Sequence, residues 1–180
     1  MKKKDVENIT FEQFKASIIE DYKIAIRSRQ ASLIGRKEVL TGKAKFGIFG
    51  DGKELAQLAM ARVFKKGDYR SGYYRDQTFM MAKNLLTTQS FFAQLYSNTN
   101  LEDEPSSAGR QMNSHFSTRM LDSNGNWKNV SREYNSSSDL SPTASQMPRL
   151  LGIAQASKIY KNYKIKSSNF SNEGNEIAFG

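Results

Sequence analysis

The segments Tyr73-Tyr-Arg-Asp76 and Ser141-Pro-Thr-Ala-Ser-Gln-Met-Pro148 hold the residue types best suited to chemistry in this chain. An arginine among aromatics suits a phosphate anchor. The Arg75 fork can grip two oxygens of a diphosphate while Tyr74 donates a hydroxyl. The plainer reading is a surface arginine near a strand end. The second segment offers the hydroxyls of Ser141, Thr143 and Ser145 and the amide of Gln146 at the start of a helix. Such groups can fix a heterocyclic ring or coordinate a monovalent cation, or they can simply cap the helix. Gly109-Arg-Gln-Met112 lies between the two segments, followed by the single histidine, His115, flanked by Ser114 and Phe116. A lone histidine is commonly structural, and a loop position improves its claim to a functional role.

Several other chemistries are excluded. One histidine cannot build a multi-histidine metal site, and the absence of cysteine removes disulfides and thiolate ligands. There is no Gly-x-Ser-x-Gly elbow, no Gly-x-Gly-x-x-Gly after a strand, and no Walker-type phosphate loop among Gly42, Gly47, Gly50 and Gly52. Carboxylates are outnumbered and form no obvious metal-binding pair. Catalysis by this chain therefore needs a cofactor or another polypeptide.

The elements that would position these groups follow from pattern. Thr10-Phe-Glu-Gln13 is a capping box, and Phe11, Phe14, Ile18, Tyr22 and Ala25 recur at helical spacing, predicting an amphipathic helix to about Arg29 or beyond. Its apolar stripe is expected to pack on a core or a partner subunit. Lys43–Asp51 reads as a loop, Lys53–Phe64 as a helix and Tyr69–Tyr74 as a short strand. Gln77–Leu86 and Gln89–Tyr96 read as helices, the second capped at Thr87-Thr88. From Asn98 to Leu140 regular signals nearly vanish apart from a turn at Asp122–Asn126, and so long a stretch suggests a functional loop or disorder. Ser141 or Thr143 is expected to cap a helix running to about Tyr163, with one strongly apolar side (Leu150, Leu151, Ile153, Ala154, Ile159). Glu176–Gly180 reads as a buried strand. Because the chain stops inside it, the expectation is the N-terminal part of a longer polypeptide.

The 180 residues suffice for a core, and no apolar run approaches the ~20 residues of a membrane span. Without cysteine or a signal core the chain fits the cytoplasm. The net charge of +9 comes from 27 basic residues spread along the chain rather than gathered in an aromatic-basic repeat. An anionic ligand or an acidic partner accounts for it as well as nucleic acid does.

Taken in order, Ala44-Lys-Phe-Gly-Ile-Phe49 with Gly52-Lys-Glu54, Tyr73–Asp76, Gly109-Arg-Gln-Met-Asn-Ser-His115 and Ser141–Pro148 resemble the α part of thiamine-diphosphate-dependent 2-oxo acid dehydrogenases of the branched-chain and pyruvate type. Leu40–Glu54 looks like a bacterial subgroup with α and β parts fused. The likeness covers most of Ile34–Gly180. It implies an α/β fold: helices over 1–33, then the first part of a parallel-sheet coenzyme domain over 34–180, incomplete at a core strand. It also implies roles. Tyr74 and Arg75 would hold the diphosphate, and Ser141 and Thr143 would contact the aminopyrimidine side. Leu140 and Pro142 (through carbonyls), Ser145 and Gln146 would form a potassium site. His115, as a catalytic group, and Arg110 would lie near the active-site channel, with Glu54 near the substrate end.

The activity implied is oxidative decarboxylation of a 2-oxo acid with acyl transfer to a lipoyl group. The implied partners are a β part, a lipoyl-bearing acyltransferase and further copies of the enzyme. Asn113 and Phe116 depart from the family's proline and tyrosine, and Thr143 replaces the leucine that props the coenzyme. The magnesium motif is expected beyond Gly180, and the chain alone is expected to be inactive. A basic helical module for nucleic acid or an acidic protein is the alternative, and a transketolase-type enzyme is a third reading.

Overall fold

The computed structural model describes residues 9–166 and 168–180. Helix α1 runs from Phe11 to Leu40 behind the expected capping box, with Gln13 N–H donating to Thr10 Oγ1 at 3.2 Å and Thr10 N–H to Gln13 Oε1 at 2.8 Å. It is longer than the large apolar residues suggest, because its buried stripe is made of small ones. Ser28, Ala31, Ser32 and Gly35 follow the i, i+3, i+4, i+7 rule and let neighbouring elements approach closely. The apolar stripe of Phe11, Phe14, Ile18 and Tyr22 does not pack on this chain's own core: Phe11 is 73% and Tyr22 66% exposed, which leaves the partner-subunit alternative. The division drawn at residue 34 falls inside this helix.

Helix α2 (Glu54–Val63), strand β1 (Tyr69–Tyr73), helix α3 (Gln77–Ala82) and helix α4 (Thr88–Leu95) follow in the expected order. Helix α3 ends earlier than Leu86, since Asn84 takes a left-handed conformation (φ +56°) that closes it. Thr87 caps α4 as expected, accepting from Ser90 N–H at 3.0 Å. The core gathers Ala31, Ala61, Phe64, Phe79, Met80, Met81, Leu86, Phe91 and Phe116. Phe64 sits edge-on to Phe79 at 5.2 Å and stacks on Tyr134 at 5.7 Å. Burying each such side chain stabilises by roughly 1.5–3 kcal/mol.

Strand β2 (Asn135–Leu140) emerges from the stretch expected to be irregular. Its sequence, Asn-Ser-Ser-Ser-Asp-Leu, has no apolar alternation. It is a strand because its polar groups are satisfied across the sheet. Ser137 Oγ donates to the Arg70 carbonyl at 3.1 Å, and Asn135 Nδ2 reaches the carbonyls of Val130 (2.8 Å) and Asp68 (3.2 Å). The turn at Asp122–Asn126 forms as expected, with the Asp122 carboxylate accepting from Asn124 and Asn126 N–H, both at 2.9 Å.

Helix α5 spans Gln146–Asn162. The capping role expected of Ser141 or Thr143 is not found: Ser145 occupies the N-cap without a side-chain bond, and the two earlier hydroxyls are engaged elsewhere. Nor is one side of α5 covered, since only Ser157 is fully buried while Leu151 is 73% exposed. Strand β3 (Ala178–Phe179) is short and half-buried rather than deeply buried. The three strands form a parallel sheet in the order β2-β1-β3, with helices packed against it. The architecture is α/β.

Candidate functional site

Parallel pairing of β1 with β2 puts their carboxyl ends side by side, with Tyr73 opposite Leu140. Tyr73–Asp76 and Ser141–Gln146 therefore leave the sheet at the same edge. That edge is where ligands bind in open parallel sheets. A register shift between Ser71 and Tyr73 gives β2 an extra residue and re-aims the chain there.

Side chains from both segments meet. The Tyr73 hydroxyl lies 3.1 Å from Thr143 Oγ1, and this bond, ahead of that with Tyr74, lowers the Tyr73 phenol from its ordinary value. Tyr74 packs on Tyr73 (ring centroids 4.0 Å apart) and stacks on His115 at 5.9 Å. His115 is buried. Its Nδ1 lies 3.1 Å from the Asn113 carbonyl, which can only accept, so in the neutral ring Nδ1 carries the proton. Nε2 is then left to accept from Ser141 Oγ at 2.6 Å. One network thus joins Tyr74, His115, Ser141 and, through Tyr73, Thr143.

Arg75 stands at the edge of this network with its guanidinium 5.2 Å above the Tyr74 ring. Among the described residues no carboxylate pairs with it, and its buried Nε has no hydrogen-bond partner. A buried donor without a partner is costly unless a ligand satisfies it, and a planar cation beside a phenol suits the oxygens of a diphosphate. These residues fit that group. The backbone is strained here as well, with Arg75 at φ +88°.

In the turn after β2, Ser145 Oγ donates to the Pro142 carbonyl at 2.7 Å, and Gln146 Oε1 is buried without a partner. The same Pro142 carbonyl accepts from Ser145 N–H at 3.2 Å, so Gln146 Oε1 is the unsatisfied oxygen of this turn.

Two expected residues lie apart from this cluster. Arg110 is exposed and lines a cavity of about 460 Å³ with Lys43, Lys45, Phe46 and Met112. Glu54 is buried and bound bidentately by Arg29, at 2.6 Å from Nε and 2.8 Å from Nη2. It also accepts from Gly52 N–H at 3.0 Å. The Arg29 bond, opposed by burial, takes its carboxyl down to about 2. A depressed carboxylate stabilises the fold above its unfolded value near 4.5, and that contribution is lost as pH falls towards 2. Because Arg29 is half-exposed, solvent screens part of the pair's attraction. Glu54→Gln should lower stability at pH 7 and flatten the acid limb below pH ~4.5 in denaturant titrations. An unchanged acid limb would show the pair to be idle.

Sequence reasoning missed the groups beneath the turn. Arg70 is buried between Asp76 (2.6 Å) and Asp139 (2.9 Å), and Asp76 also accepts from Tyr73 N–H at 3.2 Å. Gln57 reaches the Arg75 carbonyl from α2. Asp76 closes the first motif and Asp139 lies just before the second, but nothing local signals a shared partner.

An unpaired arginine, two tyrosines and a hydroxyl-bearing turn thus meet at the carboxyl edge of a parallel sheet in an α/β fold. The dehydrogenase E1 component family model matches residues 22–170, and the chain belongs to that family, the α component of thiamine-diphosphate-dependent 2-oxo acid dehydrogenases. No curated protein matches the chain.

Proposed function

We propose that this chain supplies the diphosphate side of the coenzyme site in a 2-oxo acid dehydrogenase that transfers its acyl product to a lipoyl group. The observation that carries the reading is the unpaired Arg75 guanidinium, set beside Tyr74 and joined through the tyrosines to Ser141 and Thr143. Arg75 and Tyr74 hold the diphosphate by charge-assisted hydrogen bonds. Thr143 and Ser141 face the aminopyrimidine side. The Pro142–Gln146 turn, with the Leu140 carbonyl, holds a potassium ion that stiffens the segment. His115, its tautomer fixed by Asn113, accepts from Ser141 at Nε2 and exchanges a proton with the channel through that hydroxyl, while Arg110 and Glu54 stand apart from the cluster.

When bound, thiamine diphosphate supplies the carbanion chemistry by which a 2-oxo acid loses carbon dioxide. Magnesium accompanies the diphosphate; among the described residues no cluster of three histidine or carboxylate side chains would hold it. A β part, fused or separate, completes the site, and a lipoyl-bearing acyltransferase takes the product. The enzyme works as an oligomer in the cytoplasm.

The test is carbon dioxide release by the intact enzyme from pyruvate and from branched-chain 2-oxo acids. The release should require added thiamine diphosphate and magnesium, whereas this chain alone should release none. Coenzyme-independent release, or none from any 2-oxo acid tried, would overturn the proposal.

A further inference from the structure

The strained peptide at Arg75 needs something to hold it, and the holder comes from another helix. Gln57, buried on α2, donates from Nε2 to the Arg75 carbonyl at 2.9 Å. Its Oε1 accepts from Phe79 N–H in the first turn of α3 at 3.1 Å. These partners fix the orientation of the amide, since a carbonyl can only accept and an N–H can only donate. Asp76 stands at the N-cap of α3 but makes no side-chain cap bond, its carboxylate being used by Arg70 and Tyr73 N–H. Gln57 therefore caps α3 from outside with one end of its amide and grips Arg75 with the other. Gly50 closes the opposite side, where a Cβ would come within 2.3 Å of the Arg75 oxygen. The Arg75 carbonyl thus sits in a slot between Gln57 and Gly50, and rotating it out would swing the guanidinium off the Tyr74 ring.

We infer that Gln57 is a positioning residue for anion binding: it holds Arg75 in its left-handed conformation and so aims the guanidinium at the ligand. This rests on Arg75 being the diphosphate ligand, and the test separates the two ideas.

Gln57→Glu keeps an oxygen for Phe79 N–H and removes the donor to the Arg75 carbonyl, replacing it with a repelling oxygen. A carboxylate near a helix N-terminus is well tolerated, so α3 should keep its cap. In the intact enzyme, calorimetric titration with inorganic pyrophosphate and with thiamine diphosphate should show affinities lowered about tenfold. Binding of thiamine, which lacks phosphates, should be unchanged. In an Arg75→Gln background the Gln57→Glu change should add nothing, because the two act as one unit.

If Arg75→Gln leaves pyrophosphate binding intact, the diphosphate reading itself fails. If Arg75→Gln weakens binding but Gln57→Glu does not, or if the two losses simply add, the positioning role fails alone. Should Gln57→Glu not fold, Gln57→Met is measured in its place. Failure of both to fold would also overturn the inference, since Gln57 would then be holding the fold rather than the arginine.

Discussion

Replacing Arg75 by glycine is expected to weaken thiamine diphosphate binding at least about a hundredfold while leaving the protein as stable as before. The two effects have separate causes. At φ +88° a side-chain-bearing residue is strained by about 1–2 kcal/mol, whereas glycine adopts that conformation freely. Against this relief stands the loss of the contact with the Tyr74 ring, about 0.5–1 kcal/mol at a partly exposed position. The balance is near zero or favourable. Binding has no such compensation. A guanidinium making paired charge-assisted bonds to phosphate contributes about 1.5–3 kcal/mol per bond. Nothing near the turn replaces it, because the neighbouring Arg70 is already shared by Asp76 and Asp139. Thermal melts of the coenzyme-free intact enzyme and calorimetric titration of the same sample test both halves. A variant that binds normally would remove Arg75 from the site. A variant that melts well below the parent would make the arginine a prop of the fold.

Legibility in the sequence varied with the kind of force involved. Local signals were reliable: the Thr10–Gln13 capping box, the Thr87 cap, and the helix, strand and helices between Glu54 and Leu95 stand where spacing and caps put them. The juxtaposition of the two motifs required strand pairing, and a parallel pair is invisible to local pattern when one member is the polar run Asn135–Leu140. Hydroxyls were the hardest to assign. Ser141 and Thr143 have the composition of helix caps, yet their partners are His115 and Tyr73, distant in sequence. Gln57 shows the same limit, since it looks like an ordinary helix residue until Arg75 arrives beside it. The large apolar residues of α1 and α5 stand outside this chain's own core. Helix α1 packs through serines, alanine and glycine, and Phe11 and Leu151 are left on the surface of the single chain.

Arg70→Met should destabilise the protein more than any other single change considered, by about 3–5 kcal/mol at pH 7. The guanidinium is 2% exposed, lies 5.5 Å from the Phe79 ring centre, forms ion pairs with Asp76 and Asp139, and donates at 2.6 Å to Ser136 Oγ. It fits because position 72 is glycine; a Cβ there would fall 1.7 Å from Arg70 Nη2. Methionine would fill much of the space but leave Asp139 buried without its cation. The geometry also sets a pH signature. Burial already pushes Asp139 up to about 6, outweighing the pull of Arg70. A carboxyl raised above its unfolded value binds more protons in the folded state. Its contribution therefore declines as pH rises from about 4 to 6 and is flat beyond. Removing Arg70 takes away the counter-pull, so the decline should extend to higher pH. The deficit of Arg70→Met should then be larger at pH 7 than at pH 5, where a protonated Asp139 needs no partner. Urea titrations at both values decide it, and an equal deficit at each would mean that Asp139 is not the group left uncompensated. The same substitution frees Asp76, which holds Tyr73 N–H at the start of the turn, so lost stability and a loosened Arg75 should arrive together.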